Sequence, residues 1–159
     1  MDTGVKTALT IVISYYKALD NLKLILKALN GQTNKNFEVI ISEDDNDSDI
    51  KLFLAEHSHD YTFEIAHLYQ EQDLGFRKNL MLNRSIRQAK ADLLVFIDGD
   101  CIPHQCFSEA YIKEKDTNAI LWGRRVMLDA QTTYKTKASQ TLENLGIWPL
   151  LLTKSKKLK

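Results

Sequence analysis

Short apolar runs alternate with stretches of helical periodicity along this chain. Residues 9–13, 37–41 and 93–97 are runs of aliphatic and β-branched side chains, a pattern typical of buried strands. Two less regular runs, 61–68 and 119–128, predict further strands. Because strands that are buried on both faces carry continuous apolar runs, the pattern favours a parallel sheet.

Helical periodicity fills the intervals between these runs. The first helix is predicted to begin at an Asp20 N-cap and to end at Gly31, and Ser48 or Asp49 is expected to cap the second. Later helices are predicted over 78–90, 103–115 and 135–145. Strands alternating with helices predict an α/β fold in which a mostly parallel sheet has helices on both faces, within one domain over residues 1–159.

Composition and charge exclude several classes of binding partner. The 159 residues carry 21 basic and 21 acidic side chains, so the formal net charge is zero and no global field attracts nucleic acid. No apolar run approaches the roughly 18 residues that span a bilayer. Two cysteines and the lack of a signal-peptide pattern predict a reduced, cytoplasmic setting.

A lysine-rich tail ends the chain. Its basic residues are Lys154, Lys156, Lys157 and Lys159. They are compatible with a frayed end, and also with peripheral contact at the anionic inner face of a membrane.

The six glycines are widely spaced along the chain. A G-x-G-x-x-G fingerprint or a Walker A loop requires clustered glycines, because backbone N–H groups must approach phosphate closely. Neither motif occurs in this sequence. A nucleotide bound by this chain must therefore have its phosphates neutralised in another way.

Carboxylates directly follow two of the predicted strands, as the triplets Glu-Asp-Asp at 43–45 and Asp-Gly-Asp at 98–100. Ligands of open α/β sheets bind beyond the carboxyl ends of the strands. Mg²⁺ and Mn²⁺ are often held there by one or two carboxylates, with water and substrate phosphate as the other ligands. We therefore expect Asp98 and Asp100 to hold a divalent metal, although an isolated triplet of this kind is also a good capping turn.

Further candidates lie beside these carboxylates. Asp44 is placed to accept an N–H from a nucleobase edge, and Tyr16, after the first strand, could stack on that base. Glu43 and Asp45 are equally well explained as acidic residues before a helix N-terminus. Arg77 is expected to contact phosphate or base, with a solvated loop edge as the alternative.

Two weaker signals lie in the later part of the chain. By strand alternation, Arg124 or Arg125 should face the same side as the carboxylates. Cys101 and Cys106 have the wrong spacing for a zinc site.

The ordered motifs resemble glycosyltransferase family 2, the large nucleotide-sugar-dependent group with the GT-A fold. The resemblance is carried by LTIVISYYK at 9–17, LKALNGQTNKNFEVIISEDD at 26–45, LGFRKN at 74–79, NRSI at 83–86 and ADLLVFIDGDCIP at 91–103. The L-G-F-R loop and the D-G-D-C turn are most similar to the branch that builds capsular and chondroitin-type polysaccharides.

The resemblance implies a binding site for a nucleotide-diphospho-sugar, UDP-linked by preference. Ser14 and Tyr16 match the first-strand loop that cradles the nucleobase, and Asp44 matches the carboxylate that recognises the uracil edge. Arg77 lies in the loop that covers base or phosphate. Ser14 stands where the family commonly has proline.

The resemblance also implies the chemistry. Asp98 matches the first Asp of the metal motif, near the ribose, and Asp100 matches the second, which coordinates Mn²⁺ or Mg²⁺. The expected reaction is an inverting, metal-dependent transfer of a sugar to a saccharide or lipid-linked acceptor during surface polysaccharide synthesis.

The end of the chain departs from the family pattern. Past Leu128 only Asp129 and Glu143 are acidic, and neither lies in the motif that supplies the acceptor base. We therefore expect a nucleotide-binding portion of a longer enzyme, with the C-terminal part of the fold missing or shortened. Two alternatives are a non-catalytic nucleotide-binding fragment and a haloacid-dehalogenase-like phosphatase that would use Asp98 and Asp100 as nucleophile and acid.

Overall fold

A computed structural model describes residues 6–72, 74–115 and 119–145, and the backbone of 156–157. The principal strands are β1 Leu9–Tyr15, β2 Phe37–Glu43, β3 Ile65–Leu68 and β4 Leu94–Asp98. The helices are α1 Leu19–Asn30, α2 Ser48–His57, α3 Lys78–Gln88, α4 Phe107–Lys113 and α5 Ala130–Ser139. The four strands form a sheet in the order β3-β2-β1-β4, with every neighbouring pair parallel.

Side-chain alternation along β1 and β2 divides the core between the two faces of the sheet. Ile11, Val39 and their odd-numbered neighbours pack with the apolar face of α1 in one buried cluster. Val12 and Ile40 are also fully buried but point to the other face, which α3 covers through its contacts with β1, β2 and β3. The α/β fold with helices on both faces of a parallel sheet is therefore confirmed.

A buried polar cluster fixes the far end of α3 against the sheet. Thr10 on β1 donates its hydroxyl to Glu38 Oε1 on β2 at 2.7 Å. The same Oε1 accepts the main-chain N–H of Lys90 at 2.6 Å, and the N–H of Ala91 donates to the Thr10 hydroxyl at 3.2 Å. Because buried polar groups are costly when unpaired, this arrangement specifies where the chain leaves α3 and enters the approach to β4.

The helix caps differ from the predicted ones. The N-cap of α1 is Ala18, without a side-chain hydrogen bond, and Asp20 lies in the first turn. The N-cap of α2 is Asp47, whose side chain accepts from the Asp49 N–H at 2.9 Å. Short acidic and hydroxyl runs contain several chemically competent caps, so the sequence alone does not select one.

Two predicted strands are shorter than expected. The run over 61–68 forms strand only at Ile65–Leu68. The Phe63 ring instead packs between Tyr61 and Phe37, at ring-centroid distances of 5.5 and 5.0 Å. Within the described part of 119–128, only β5, Val126–Met127, is strand, and it pairs antiparallel with β6, Lys156–Lys157.

The later helices are also displaced. α4 begins at Phe107 and not near Pro103. α5 begins at Ala130, five residues before the predicted start at 135, because the Asp129 carboxylate caps it by accepting the Thr132 N–H at 2.8 Å. A short 3₁₀ turn follows at Glu143–Leu145. Asp129, one of the two late acidic residues, thus has a structural role.

Among the described residues, no helix combines the length and apolar character that crossing a bilayer requires. The predicted membrane contact of the lysine tail falls largely outside the described residues. Only the backbone of Lys156 and Lys157 is described, as β6.

Candidate active site

The carboxyl ends of β1, β2 and β4 meet at one edge of the sheet. In the parallel register Ser14 lies beside Asp98, and Tyr15 lies beside Glu43. A cleft of about 560 Å³ opens at this edge. Its walls are formed by Ser14, Tyr15, Tyr16, Ala18, Asn21, Ser42, Asp44, Gly75, Phe76, Lys78, Asp98, Gly99 and Asp100. The structure therefore brings together Ser14, Tyr16, Asp44, Asp98 and Asp100, which the sequence marked separately.

Asp44, just past β2, anchors the loop that precedes α3. Its side chain is 6% exposed, and both carboxylate oxygens accept the main-chain N–H of Arg77, at 2.9 and 3.0 Å. Oδ1 also accepts from Gln70 Nε2 at 2.9 Å. An ionised carboxylate has about four acceptor sites, so Asp44 retains capacity for a ligand donor while it positions the loop.

The same loop forms the second wall of the cleft. Gly75 has φ +81°, a left-handed conformation that glycine adopts without strain, and its carbonyl accepts from Gln70 Nε2 at 3.2 Å. Gln70 is 4% exposed, and its side-chain amide links Asp44 to the loop by donating to both. Phe76, at the tip, is 86% exposed beside the cleft. Neither Gln70 nor Phe76 stands out in the sequence as a candidate site residue.

Two cations approach Asp98 from different elements. Lys78 Nζ, at the start of α3, lies 2.8 Å from Asp98 Oδ1. Arg125 Nη1, just before β5, lies 3.6 Å from Asp98 Oδ2. Arg125 is thus the member of the arginine pair that faces the carboxylates. Asp98 remains half-exposed, and an ion pair at such a position contributes about 0–1 kcal/mol, so an anionic ligand can displace it at little cost.

Asp98, Asp100 and Cys101 form a group with metal-ligand spacing. One ligand atom from each lies within 4.8 Å of the others. Two carboxylates on an exposed turn suit a hard divalent cation that keeps water and substrate oxygens as its remaining ligands. Burial raises the pKa of the Cys101 thiol above its ordinary value of 9.0, and the thiol donates to Asp100 Oδ1 at 3.4 Å. Mn²⁺ and Mg²⁺ are hard cations that prefer oxygen to sulfur, so the carboxylate pair is the ligand set that fits them.

Gly99 sets the distance between this turn and β1. A Cβ placed on Gly99 would lie 2.6 Å from the main-chain oxygen of Ser14. Since Gly99 is not among the described residues with positive φ, close packing of two backbones accounts for the glycine, and a left-handed turn does not. The carboxylates of Asp98 and Asp100 are in this way held against β1.

Tyr16 lies on the rim of the cleft, with 57% of its surface exposed. Lys17, which has φ 45°, places its ammonium 5.0 Å from the centre of the Tyr16 ring and 3.2 Å from Asp45 Oδ2. The aromatic face next to the cleft is thus accessible to a planar ligand.

Glu43 and Asp45 point away from the cleft. Glu43 is fully buried and contacts His67 Nε2 at 2.7 Å through one oxygen and the Asp47 N–H at 2.7 Å through the other. Asp45 pairs with Lys17, and its carbonyl accepts the Gln70 N–H at 3.0 Å. Of the three carboxylates at the end of β2, only Asp44 lines the cleft.

The Arg77 side chain lies beside the cleft and not on its wall. It lines a second hollow of about 370 Å³. The residues around that hollow are Gln70, Glu71, Gln72, Leu74, Arg77, Leu80 and Arg84. Arg77 serves the main cleft through its N–H to Asp44, whereas Lys78 supplies the cation that faces Asp98.

Comparison with known sequences identifies a family that this chain matches. Residues 10–159 match the family model described as "Glycosyl transferase family 2". An uncharacterized glycosyltransferase of Haemophilus influenzae is 30% identical over 112 residues, which are 69% of this chain and 36% of that protein. Glycosyltransferase AglE of Haloferax volcanii is 26% identical over 102 residues, which are 63% of this chain and 33% of that protein. The chain thus spans about a third of the length of these relatives.

Solved structures share the fold at low sequence identity. The mannosyltransferase PcManGT of Pyrobaculum calidifontis, in complex with GDP-Man and Mn²⁺, matches with a TM-score of 0.54 and 14% identity, over 64% of this chain and 30% of its own. TarS 1–349 of S. aureus matches with a TM-score of 0.55 and 18% identity, over 76% of this chain and 34% of its own. TarS 1–349 is also known in complex with UDP-GlcNAc, with a TM-score of 0.51. These similarities establish the GT-A fold.

Proposed function

The chain belongs to glycosyltransferase family 2, and from that premise we propose that its cleft binds a nucleotide-diphospho-sugar, with UDP as the preferred nucleotide. The observation that carries this proposal is the convergence of Ser14, Asp44, Asp98 and Asp100 from the ends of three parallel strands on one cleft. The family match decides against the phosphatase alternative.

In the proposed complex the nucleobase occupies the end of the cleft between β1 and β2. Asp44 retains acceptor capacity there for a base N–H, and the exposed Tyr16 ring offers a stacking surface. Phe76 stands across the same cleft on the loop that Asp44 holds. Ser14, at the end of β1, lies between the base end and Asp98.

The diphosphate is proposed to lie at the Asp98–Asp100 end. Asp98 and Asp100 would hold a divalent cation, which neutralises charge on the leaving nucleoside diphosphate. Lys78 and Arg125 already face Asp98 and can turn to phosphate oxygens when the ligand arrives. This set of charges replaces the glycine-rich loop that the sequence lacks. Mannosyltransferase PcManGT, of the same fold, is known with GDP-Man and Mn²⁺, which supports a metal in this position.

The whole reaction proposed is an inverting transfer of the sugar to a saccharide or lipid-linked acceptor in surface polysaccharide synthesis. The capsular and chondroitin-type branch is part of the same proposal and rests on the L-G-F-R and D-G-D-C motifs. Sugar transfer or donor hydrolysis by the 159-residue chain would distinguish an active enzyme from a non-catalytic nucleotide-binding fragment.

The donor site can be tested by calorimetric titration of UDP with and without Mn²⁺. We expect Mn²⁺ to strengthen binding in the wild type, and Asp100→Asn to remove most of that gain, roughly tenfold to a hundredfold in affinity, because the amide lacks the charge that holds the cation. Asp60→Asn, on an exposed 3₁₀ turn remote from the cleft, is the matched control and should bind as the wild type does. Equal UDP affinity with and without Mn²⁺ would refute the proposed metal role.

A further inference from the structure

The outer side of α3 carries a surface that the donor cleft does not use. Every ionisable side chain between residues 74 and 91 is arginine or lysine. Lys78 pairs with Asp98, and Lys90 pairs with Glu64. Arg77, Arg84 and Arg87 have no carboxylate partner among the described residues.

These arginines lie on one side of the helix together with an exposed leucine. Arg77, Leu80, Arg84 and Arg87 follow one another at spacings of three and four residues, which places them along one face. Met81 and Ser85, on the adjoining face, are fully buried, and Arg84 Nη1 lies 3.7 Å from Met81 Sδ where the two faces meet. We call the outer set, together with Leu74 beside the second hollow, the basic face: Leu74, Arg77, Leu80, Arg84 and Arg87.

Folding does not account for the basic face. No acidic residue occupies the first turn of α3, where the helix dipole favours negative charge, and Arg77 and Lys78 stand there instead. Leu74 is 56% exposed and Leu80 is 41% exposed, so neither gains much from burial. Unpaired cations interleaved with exposed leucines therefore point to a partner that is both anionic and apolar.

We propose that the basic face docks on an anionic lipid bilayer. The arginines would contact lipid phosphates, while Leu74 and Leu80 enter the boundary between headgroups and acyl chains. The hollow of about 370 Å³ between Arg77 and Arg84 is open to one headgroup. A nucleic acid fits less well, because Leu74 and Leu80 offer no stacking surface and the nearby exposed ring of Phe76 lines the donor cleft.

Docking in this orientation has a consequence for the cleft. α3 begins at the sheet edge where Asp44 and Asp98 lie, so the mouth of the cleft is carried close to the lipid surface. On the basis of the proposed function, this is where a lipid-linked acceptor would be presented.

Vesicle co-sedimentation of the 159-residue chain tests the docking. We expect binding to vesicles containing roughly one-third phosphatidylglycerol, little binding to pure phosphatidylcholine, and loss of binding at high salt. Each basic residue near an anionic surface contributes about 1 kcal/mol, or about fivefold in partitioning, so Arg84→Gln with Arg87→Gln should weaken binding about 25-fold. Leu80→Ser should weaken binding without changing its salt dependence.

The matched control is Lys135→Gln with Lys137→Gln. Both lysines are exposed on α5, which contacts α1, and their loss should leave binding within about twofold of the wild type. UDP titration of the Arg84→Gln, Arg87→Gln variant should be unchanged, which separates failure of docking from failure of the donor site.

Three results would overturn the proposal. One is unchanged vesicle binding in the double arginine variant, which would assign the interaction to the lysine-rich residues 154–159. Another is an equal loss in the α5 control. The third is tighter binding of a single-stranded RNA than of anionic vesicles, with the same dependence on Arg84 and Arg87.

Discussion

Replacing Gly99 by alanine is expected to destabilise the protein and to weaken donor binding together. The added Cβ would stand 2.6 Å from the main-chain oxygen of Ser14. Carbon–oxygen contacts below 3.0 Å are essentially never observed and 3.4 Å is ordinary, so β1 and the 98–100 turn must separate by about 0.4–0.8 Å. The clash is with backbone, and Gly99 directly follows Asp98, which pairs with Ser14 in the sheet, so no flexible side chain can absorb the shift.

Overpacking of this kind costs about 1–3 kcal/mol. In a chain of 159 residues each kcal/mol lowers Tm by roughly 2–4 °C, so Gly99→Ala should melt about 2–12 °C below the wild type. The same displacement moves Asp98 and Asp100 away from Ser14, and UDP affinity in the presence of Mn²⁺ should fall roughly tenfold. Circular dichroism melting and calorimetric titration measure the two effects.

Gly31→Ala is the matched control. A Cβ there would lie 3.5 Å from the nearest oxygen, at an unstrained φ of −91°. Its effect should be neutral or stabilising by about 0.4–1 kcal/mol. A Gly99→Ala variant that melts with the wild type, or an equal loss of stability in both variants, would contradict the close contact of the Gly99 and Ser14 backbones. Reduced stability with unchanged UDP affinity would refute only the link between Gly99 and the carboxylates.

Two further predictions concern residues around the cleft. Gln70→Ala should lower the free energy of unfolding by about 1–3 kcal/mol and weaken UDP binding, because it removes the buried donor to Asp44 and the Gly75 carbonyl. Exposed Gln72→Ala is the control and should change neither quantity. Equal unfolding curves and equal UDP titration curves for the two variants would contradict the role of Gln70. Burial, followed by the nearby Asp47 carboxylate, raises the pKa of Tyr15 above its ordinary value of 10.0. The folded state therefore binds this proton more tightly, and the associated stability, complete below about pH 10, is lost as the pH rises further. Between about pH 8 and about pH 11, the free energy of unfolding measured in urea should fall less steeply in Tyr15→Phe than in the wild type. Exposed Tyr134→Phe should follow the wild type. Parallel pH dependence in all three proteins would contradict this role of Tyr15.

The sequence shows the cations around the basic face but does not show which of them are paired with carboxylates. The cations at 77, 78, 84, 87 and 90 are visible in the sequence. Only the structure separates Lys78 and Lys90, which are paired with carboxylates from β4 and the approach to β3, from Arg84 and Arg87, which are not. Ion pairing between distant segments is a property of the fold.

The end of β2 shows the same division. The sequence places three carboxylates there, and the choice among them depends on which face each side chain takes. Successive residues past a strand alternate in direction, so Glu43 is directed to His67 and Asp44 to the cleft. Which face each carboxylate takes could be predicted only once the strand was known to extend to Glu43, two residues beyond its apolar run.

The sequence by itself determined the alternation of strands and helices, the parallel sheet, the family, and the positions at which chemistry is concentrated. These features depend on local periodicity and on short ordered motifs, which survive without knowledge of distant contacts. Tertiary structure decided the rest: that Gly99 is required by the backbone of β1, that Asp44 accepts the main-chain N–H of Arg77, and that Lys78 faces Asp98. Each of these joins segments 20 or more residues apart along the chain, and only packing of the sheet and its helices brings them within bonding distance.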